Sequence, residues 1–249
     1  MADPGLNRTH MVIDLGNTRL KMGIFNGDTL SHTEHSSSGT SLSEIWEDWY
    51  ITWKPHRMAL SSTAWLDQDA RHWIESHRVL TVHPGLNFPF EILYSSPETL
   101  GQDRLAAVSA VYALYKDMNV LVIDCGTCIT YDVLLSDGVY LGGNISPGVR
   151  MRLRSMHEFT DRLPLVDVPE EVNWIGQSTS EALQSGGVAM AIMEANGMIF
   201  YLKEKYGSLR TVLTGGDAGL FQNHLKGELD FCADLVLSGL NEILKNNEV

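Results

Sequence analysis

The chain has 249 residues, 31 acidic against 18 basic side chains and a formal net charge of −13. That length suits one large domain or two small lobes with real cores, and an acidic surface repels nucleic-acid phosphates. No apolar run reaches a membrane span, no secretory h-region follows the first methionine, and three cysteines make no disulfide framework; a cytoplasmic protein without nucleic-acid or membrane partners is the expectation.

Residues 1–10, "MADPGLNRTH", have no periodicity and read as a tag or cloning remnant outside the fold. Three strands follow, Met11–Leu15, Leu20–Phe25 and Leu30–His35, joined by Gly/Asn/Asp turns. "SLSEIWEDWYITW" reads as a helix, with Ser41 and Glu44 spaced as a capping box and Leu42, Ile45, Trp46, Trp49 and Trp53 on one apolar face. "RMALSST" is a strand, "LDQDARHWIESH" a helix and "VLTV" a strand. The connection "GLNFPFEILYSSPETLGQDR" is long enough to suggest function, and the helix "LAAVSAVYALYKDM" closes the first half.

The pattern then restarts. "VLVIDC", "CITYDVLL" and "GVYLGGNI" are strands, followed by a helix near Gly148–Glu158 and a second from Ser178 to about Tyr206, interrupted by Gly186, Gly187 and Gly197. "RTVLTGG" is a strand and two helices end the chain. The junction near residue 118 divides an N-terminal lobe, 11–118, from a C-terminal lobe, 119–249.

One unit is repeated. "VIDLGNTRLK" (12–21) aligns on "VIDCGTCITY" (122–131), placing Asp14 on Asp124, Gly16 on Gly126 and Asn17-Thr18 on Thr127-Cys128. Each copy is an apolar strand ending in Asp-x-Gly-[Asn/Thr] and turning into another strand. The glycine permits a tight turn with backbone N–H groups near a ligand, Asn and Thr donate to phosphate oxygens, the Asp can bind a cation, and Lys21 offers a point charge. Cys125 and Cys128 fall on Leu15 and Thr18, so they read as bystanders; a zinc site needs about four ligands. No G-x-x-x-x-G-K-[ST] or G-x-G-x-x-G occurs, which disfavours P-loop and Rossmann nucleotide sites.

Three other features stay open at the level of residues alone. Asp103 precedes an apolar helix and could be its N-cap or a base; Thr179 competes with Ser178 for a cap. Arg150, Arg152 and Arg154 form a basic cluster read as surface balance. "GGVAMAIMEANGMIFYL" is apolar around much of its circumference and is either core or a dimer seam.

"DLGNTRLKMG", "LGQDRLAA", "IDCGTCITYD", "GGNISPG", "GQSTSEALQSG" and "TGGDA", in that order over residues 11–246, resemble type III pantothenate kinase, of the actin, heat-shock ATPase and sugar-kinase superfamily. The resemblance implies an α/β fold of two duplicated ribonuclease-H-like lobes with the active cleft between them. It implies ATP-dependent phosphorylation of pantothenate, the first step of coenzyme A synthesis, by a homodimer using Mg²⁺ and a monovalent cation, K⁺ or NH₄⁺. ATP binding would fall to Asp14, Leu15, Gly16, Asn17, Thr18, Arg19, Leu20, Lys21 and Thr127. Pantothenate would be held by Tyr94, Gly101, Gln102, Asp103, Arg104 and Thr179, with Asp103 as the base and Asp124 on the monovalent cation. Another small-acceptor kinase of the superfamily and a non-catalytic transcriptional accessory protein are the competing readings.

Overall fold

The computed structural model describes residues 9–36 and 41–247. The chain folds as two compact units, Met1–Leu114 with Asp234–Val249, and Tyr115–Ala233. The sequence reading instead left the last residues with the C-terminal lobe.

The first unit is a five-stranded sheet. Its strands are β1 (Thr9–Leu15), β2 (Leu20–Asn26), β3 (Thr29–Ser36), β4 (Arg57–Ser62) and β5 (Leu80–Thr81), ordered β3-β2-β1-β4-β5. β1, β2 and β3 form an antiparallel meander, and β4 joins β1 in parallel. Alternation along β1 sends Met11, Ile13 and Leu15 to one face, where helices α1 (Leu42–Trp53) and α2 (Gln68–Ser76) pack Trp46, Trp49 and Trp73 against them. On the other face lie α3 (Gln102–Leu114) and α7 (Leu235–Asn246), which crosses α3 and reaches β1, β2 and β4. Close crossing is possible because residue 239 is glycine; any Cβ there would strike the Ala106 carbonyl. A short strand, β6 (Glu91–Ile92), interrupts the long connection before α3.

The second unit repeats the plan. Strands β7 (Val120–Cys125), β8 (Cys128–Leu134), β9 (Val139–Pro147), β10 (Arg210–Thr214) and β11 (Glu228–Phe231) are ordered β9-β8-β7-β10-β11, again a meander followed by parallel strands. Helices α4 (Val149–Glu158) and α5 (Thr179–Tyr206) cover one face, with Val188, Ala191, Ile192, Ala195 and Ile199 of α5 buried against Leu121, Ile123, Ile129 and Tyr131. A short α6 (Ala218–Gln222) follows β10. No helix among the described residues is long and apolar enough to cross a membrane.

Three local expectations are corrected, and one strand is added that the sequence left unassigned. Thr9 and His10 belong to β1; His10 is buried, with Nδ1 2.8 Å from Asn241 Oδ1, while residues 1–8 lie outside the described residues. Ser41 forms no side-chain cap; its Oγ sits 2.8 Å from Ser43 Oγ. α5 runs unbroken through Gly186, Gly187 and Gly197, because its packed face supplies what glycine propensity takes away. Glu228–Phe231 is a strand, pairing in parallel with β10 and held by Arg210–Glu228 and Tyr115–Asp230 contacts.

Candidate functional site

In the first unit, the β1–β2 turn places Asp14 directly across the ladder from Lys21. Gly16 N donates to Arg19 O at 3.0 Å to close the turn, leaving Asn17, Thr18 and Arg19 exposed while Leu15 and Leu20 anchor it in the core. Lys21 Nζ lies 2.7 Å from Asp234 Oδ1, at the start of α7. In parallel register Asp14 faces Ser61 of β4. Ser61 Oγ is buried, forms no hydrogen bond within normal limits among the described residues, and still favours the ionised form of the adjoining Asp14 carboxyl.

Asp14 is pushed up to about 7, first by burial and then by the neighbouring Asp103 carboxylate; Ser61 and Lys21 offset only part of this. Its side chain touches solvent, but the surrounding strands pack closely enough that desolvation leads. Asp103 therefore stands beside the first aspartate turn. It is the second residue of α3 rather than the N-cap, and its Oδ1 accepts the Arg104 N–H at 2.9 Å. Glycine at 101 leaves room for the Asp103 carboxylate in this position, since a Cβ there would meet Asp103 Oδ1 at 2.6 Å and turn it aside. Arg104 is 5% exposed, and its guanidinium carbon lies 5.9 Å from the centre of the Tyr94 ring, a cation–π arrangement rather than a surface ion pair. Gln102 turns elsewhere: its Oε1 accepts Ser62 N–H at 2.8 Å.

In the second unit, Gly126 N donates to Cys128 O at 3.0 Å, so this turn is one residue tighter than the first. Cys128 thus takes the turn-closing place of Arg19 rather than that of Thr18, which a gapless alignment could not show. Asp124 faces Thr214 in the parallel register, as Asp14 faces Ser61. Gly215, at φ +95°, lies so close to the Asp124 carboxylate and the Cys125 backbone that only glycine fits. Asp217 N then donates to Cys125 O at 2.9 Å, and Gly148 N to Thr127 O at 3.1 Å. The "TGGDA" and "SPG" segments are thereby gathered on the Asp124–Thr127 turn. Cys125 is fully buried, and burial, with Asp124 and Asp217 nearby, holds its thiol protonated.

The three arginines after "NISPG" do not act as a cluster. Arg150 lies 3.5 Å from Asp217, Arg152 binds Glu194 at 2.6 Å and Arg154 binds Glu158 at 2.6 Å. Ser178 Oγ caps α5 by accepting Glu181 N–H at 3.3 Å, and Glu181 Oε2 accepts Gln177 N–H at 2.7 Å. This leaves Thr179 as the exposed first residue of the helix. A concavity of about 380 Å³ between β8, β9 and α5, lined by Tyr131, Ser146, Glu194, Met198 and Tyr201 among others, contains none of the turn residues.

Sequence reasoning missed Ser61 and Thr214 as the partners of the two aspartates. The signal was present in "ALSS" and "VLTG", strands that each end in a hydroxyl residue, but the register that brings them to Asp14 and Asp124 is tertiary.

A sequence profile of type III pantothenate kinase matches residues 10–200. A type III pantothenate kinase of Phocaeicola vulgatus is 38% identical over 243 residues, covering 96% of this chain and 99% of the relative. One from Christiangramia forsetii is 37% identical over 241 residues, covering 96% and 99%. Among solved structures, one from Campylobacter jejuni assigned to the Baf family of transcriptional activators superposes with a TM-score of 0.59 at 20% identity, covering 95% of this chain and 98% of that one. A ROK hexokinase from Thermus thermophilus gives 0.55 at 16% identity, covering 96% and 98%. At such identities these two likenesses concern the fold alone.

Proposed function

Because the chain belongs to the type III pantothenate kinase family, we propose that it transfers the γ-phosphoryl group of ATP to the primary hydroxyl of pantothenate, the entry step to coenzyme A. The observation that carries the residue assignment is the placement of Asp103 beside Asp14, at the end of the first aspartate-glycine turn. Phosphoryl transfer to an alcohol asks mainly for alignment and charge compensation. Asp103 orients the hydroxyl and takes its proton, and Arg104, stacked on Tyr94, offers a fixed cation to the substrate carboxylate or amide.

The Asp14–Lys21 turn and Thr127 serve the nucleotide phosphates through aimed N–H groups and hydroxyls. Mg²⁺ fits the first site, since burial and Asp103 together disfavour the Asp14 anion and a cation relieves both effects. It would supply charge neutralisation of the phosphates. Asp124 offers one carboxylate for a monovalent ion, K⁺ or NH₄⁺. Lys21 exchanges Asp234 for phosphate when nucleotide is bound.

The protein acts as a cytoplasmic homodimer. Gly186, Met190, Met193, Gly197 and Phe200 repeat at alternating spacings of four and three along α5; the methionines and Phe200 are 43%, 55% and 67% exposed, and among the described residues outside the helix's own turns nothing lies within 4 Å of where a Cβ would stand on either glycine. Such a seam of small and large apolar residues suits a second helix. A partner copy then carries Thr179 to the substrate, the role that its release from capping permits.

A coupled ADP-release assay with pantothenate, N-acetylhexosamines and polyols tests the reading. Turnover with pantothenate alone supports it. Preference for a sugar or polyol moves the chain to another acceptor class, and no ADP release with any acceptor favours a non-catalytic relative.

A further inference from the structure

Trp65 is 93% exposed although its neighbours Ala64 and Leu66 pack on the core of the first unit. The segment that carries it is tied down rather than loose. Thr63 N donates to Leu15 O at 2.9 Å, Ser62 N donates to Gln102 Oε1 at 2.8 Å, and Ser62 Oγ donates to Ala64 O at 2.9 Å. Those anchors are the residue after Asp14 and the residue before Asp103. The next ordered element, α2, starts behind an Asp67 cap that accepts Ala70 N–H at 2.7 Å. A large apolar ring is thus held in water at the end of a short, fixed loop.

The duplicated topology gives that loop a counterpart. β4 stands to β1 as β10 stands to β7, Ser61 faces Asp14 as Thr214 faces Asp124, and Thr63 N binds Leu15 O as Asp217 N binds Cys125 O. Residues 62–66 therefore occupy in the first unit the place that the "GGDA" loop occupies in the second. In the first unit that place adjoins the base rather than the "SPG" segment. Two residues, Thr63 and Ala64, separate Trp65 from Ser62, so its Cα lies within about 11 Å of the Ser62 Cα, and the Ser62 N–H is itself held by the side chain that precedes Asp103.

We propose that Trp65 covers the acceptor substrate at Asp103, packing its indole on the apolar carbon next to the reacting hydroxymethyl group, and that Gln102 is the positioning residue that holds its loop. The inference rests on the phosphotransfer reading above, and adds to it a determinant of acceptor specificity. Pantothenate carries two methyl groups on that carbon, an apolar surface that a flat aromatic ring excludes from water. The variable slot of the G-x-D-R motif gains a reason: its side chain faces the loop, not the substrate.

The test is steady-state kinetics of Trp65→Ala and Trp65→Phe with pantothenate and Mg-ATP. Trp65 is 93% exposed and so has little packing to lose, and both variants fold with nearly unchanged melting temperature. Trp65→Ala raises KM for pantothenate roughly tenfold, the scale of partial apolar burial of one ring, while KM for ATP stays within twofold. Trp65→Phe keeps most of the affinity. Gln102→Met, which removes the acceptor of the Ser62 N–H, raises the same KM, and Gln102→Glu, which retains an acceptor, recovers it. Pantothenate shifts tryptophan emission to the blue in the wild type and much less in Trp65→Phe. An unchanged KM for pantothenate in Trp65→Ala overturns the proposal, as does a rise confined to KM for ATP, which would put the ring on the nucleotide. Absence of pantothenate turnover in the wild type would instead overturn the parent reading.

Discussion

Asp103 sits beside Asp14, and its charge is one of the two reasons that the Asp14 carboxyl holds its proton up to about pH 7. Two carboxylates from separate segments meet in the folded chain, with Lys21 across the ladder turned to Asp234. The arrangement favours the arrival of a cation, and it fixes how stability varies with pH.

Asp14 titrates at about 7 when folded, against about 3.8 in an open chain. Stability from its protonated form is fully present below the open-chain value and is lost as pH rises through 7. Asp14→Asn keeps the neutral form at every pH. In metal- and nucleotide-free buffer its melting temperature gains on the wild type between pH 4.5 and 7 and the gain levels off by pH 8. A difference constant across that range would mean that Asp14 is not perturbed.

Gly215 bears on both fold and site. Alanine there meets a backbone at φ +95° and the Asp124 carboxylate at once. The expected loss is about 1–3 kcal/mol in chemical denaturation. KM for ATP rises as well, because the displaced carboxylate and the Asp217–Cys125 hydrogen bond belong to the same turn.

Replacing K⁺ by Na⁺ at constant ionic strength lowers turnover if Asp124 holds a monovalent ion. In Asp124→Asn the two salts give the same residual rate. A wild-type enzyme indifferent to the exchange would remove that role from Asp124.

Phe200→Glu puts a charge in the exposed α5 stripe, at a side chain that lies largely in solvent within its own chain. If the stripe is the seam of the proposed dimer, light scattering reads a monomer where the wild type reads a dimer, and pantothenate turnover falls with it as the proposed reach of Thr179 into a partner is lost. A dimeric Phe200→Glu places the seam elsewhere.

The duplicated Val-Ile-Asp units were legible because they carry their own turn chemistry, and the two sheets confirm the repeat in strand order. What stayed hidden is what depends on distant partners. β11 carries no strand assignment in the sequence and is set by its parallel pairing with β10 and by Arg210 against Glu228, and the one-residue difference between the turns appears only when Asp14 is seen opposite Lys21 and Asp124 opposite Thr130. Ser41 looked like a cap by spacing and lost to its own hydroxyl contact with Ser43. At the site, the G-x-D-R residues were legible as a motif, but the direction of Gln102 and the burial of Arg104 were not, since both follow from how α3 meets β4 and Tyr94.

The most direct test of the account is the turnover of Asp103→Asn with saturating pantothenate and Mg-ATP. The substitution keeps size and helix position and removes only the basic carboxylate. The account predicts that kcat falls about 10²–10⁴-fold while KM for ATP changes little. Turnover comparable to the wild type would contradict it.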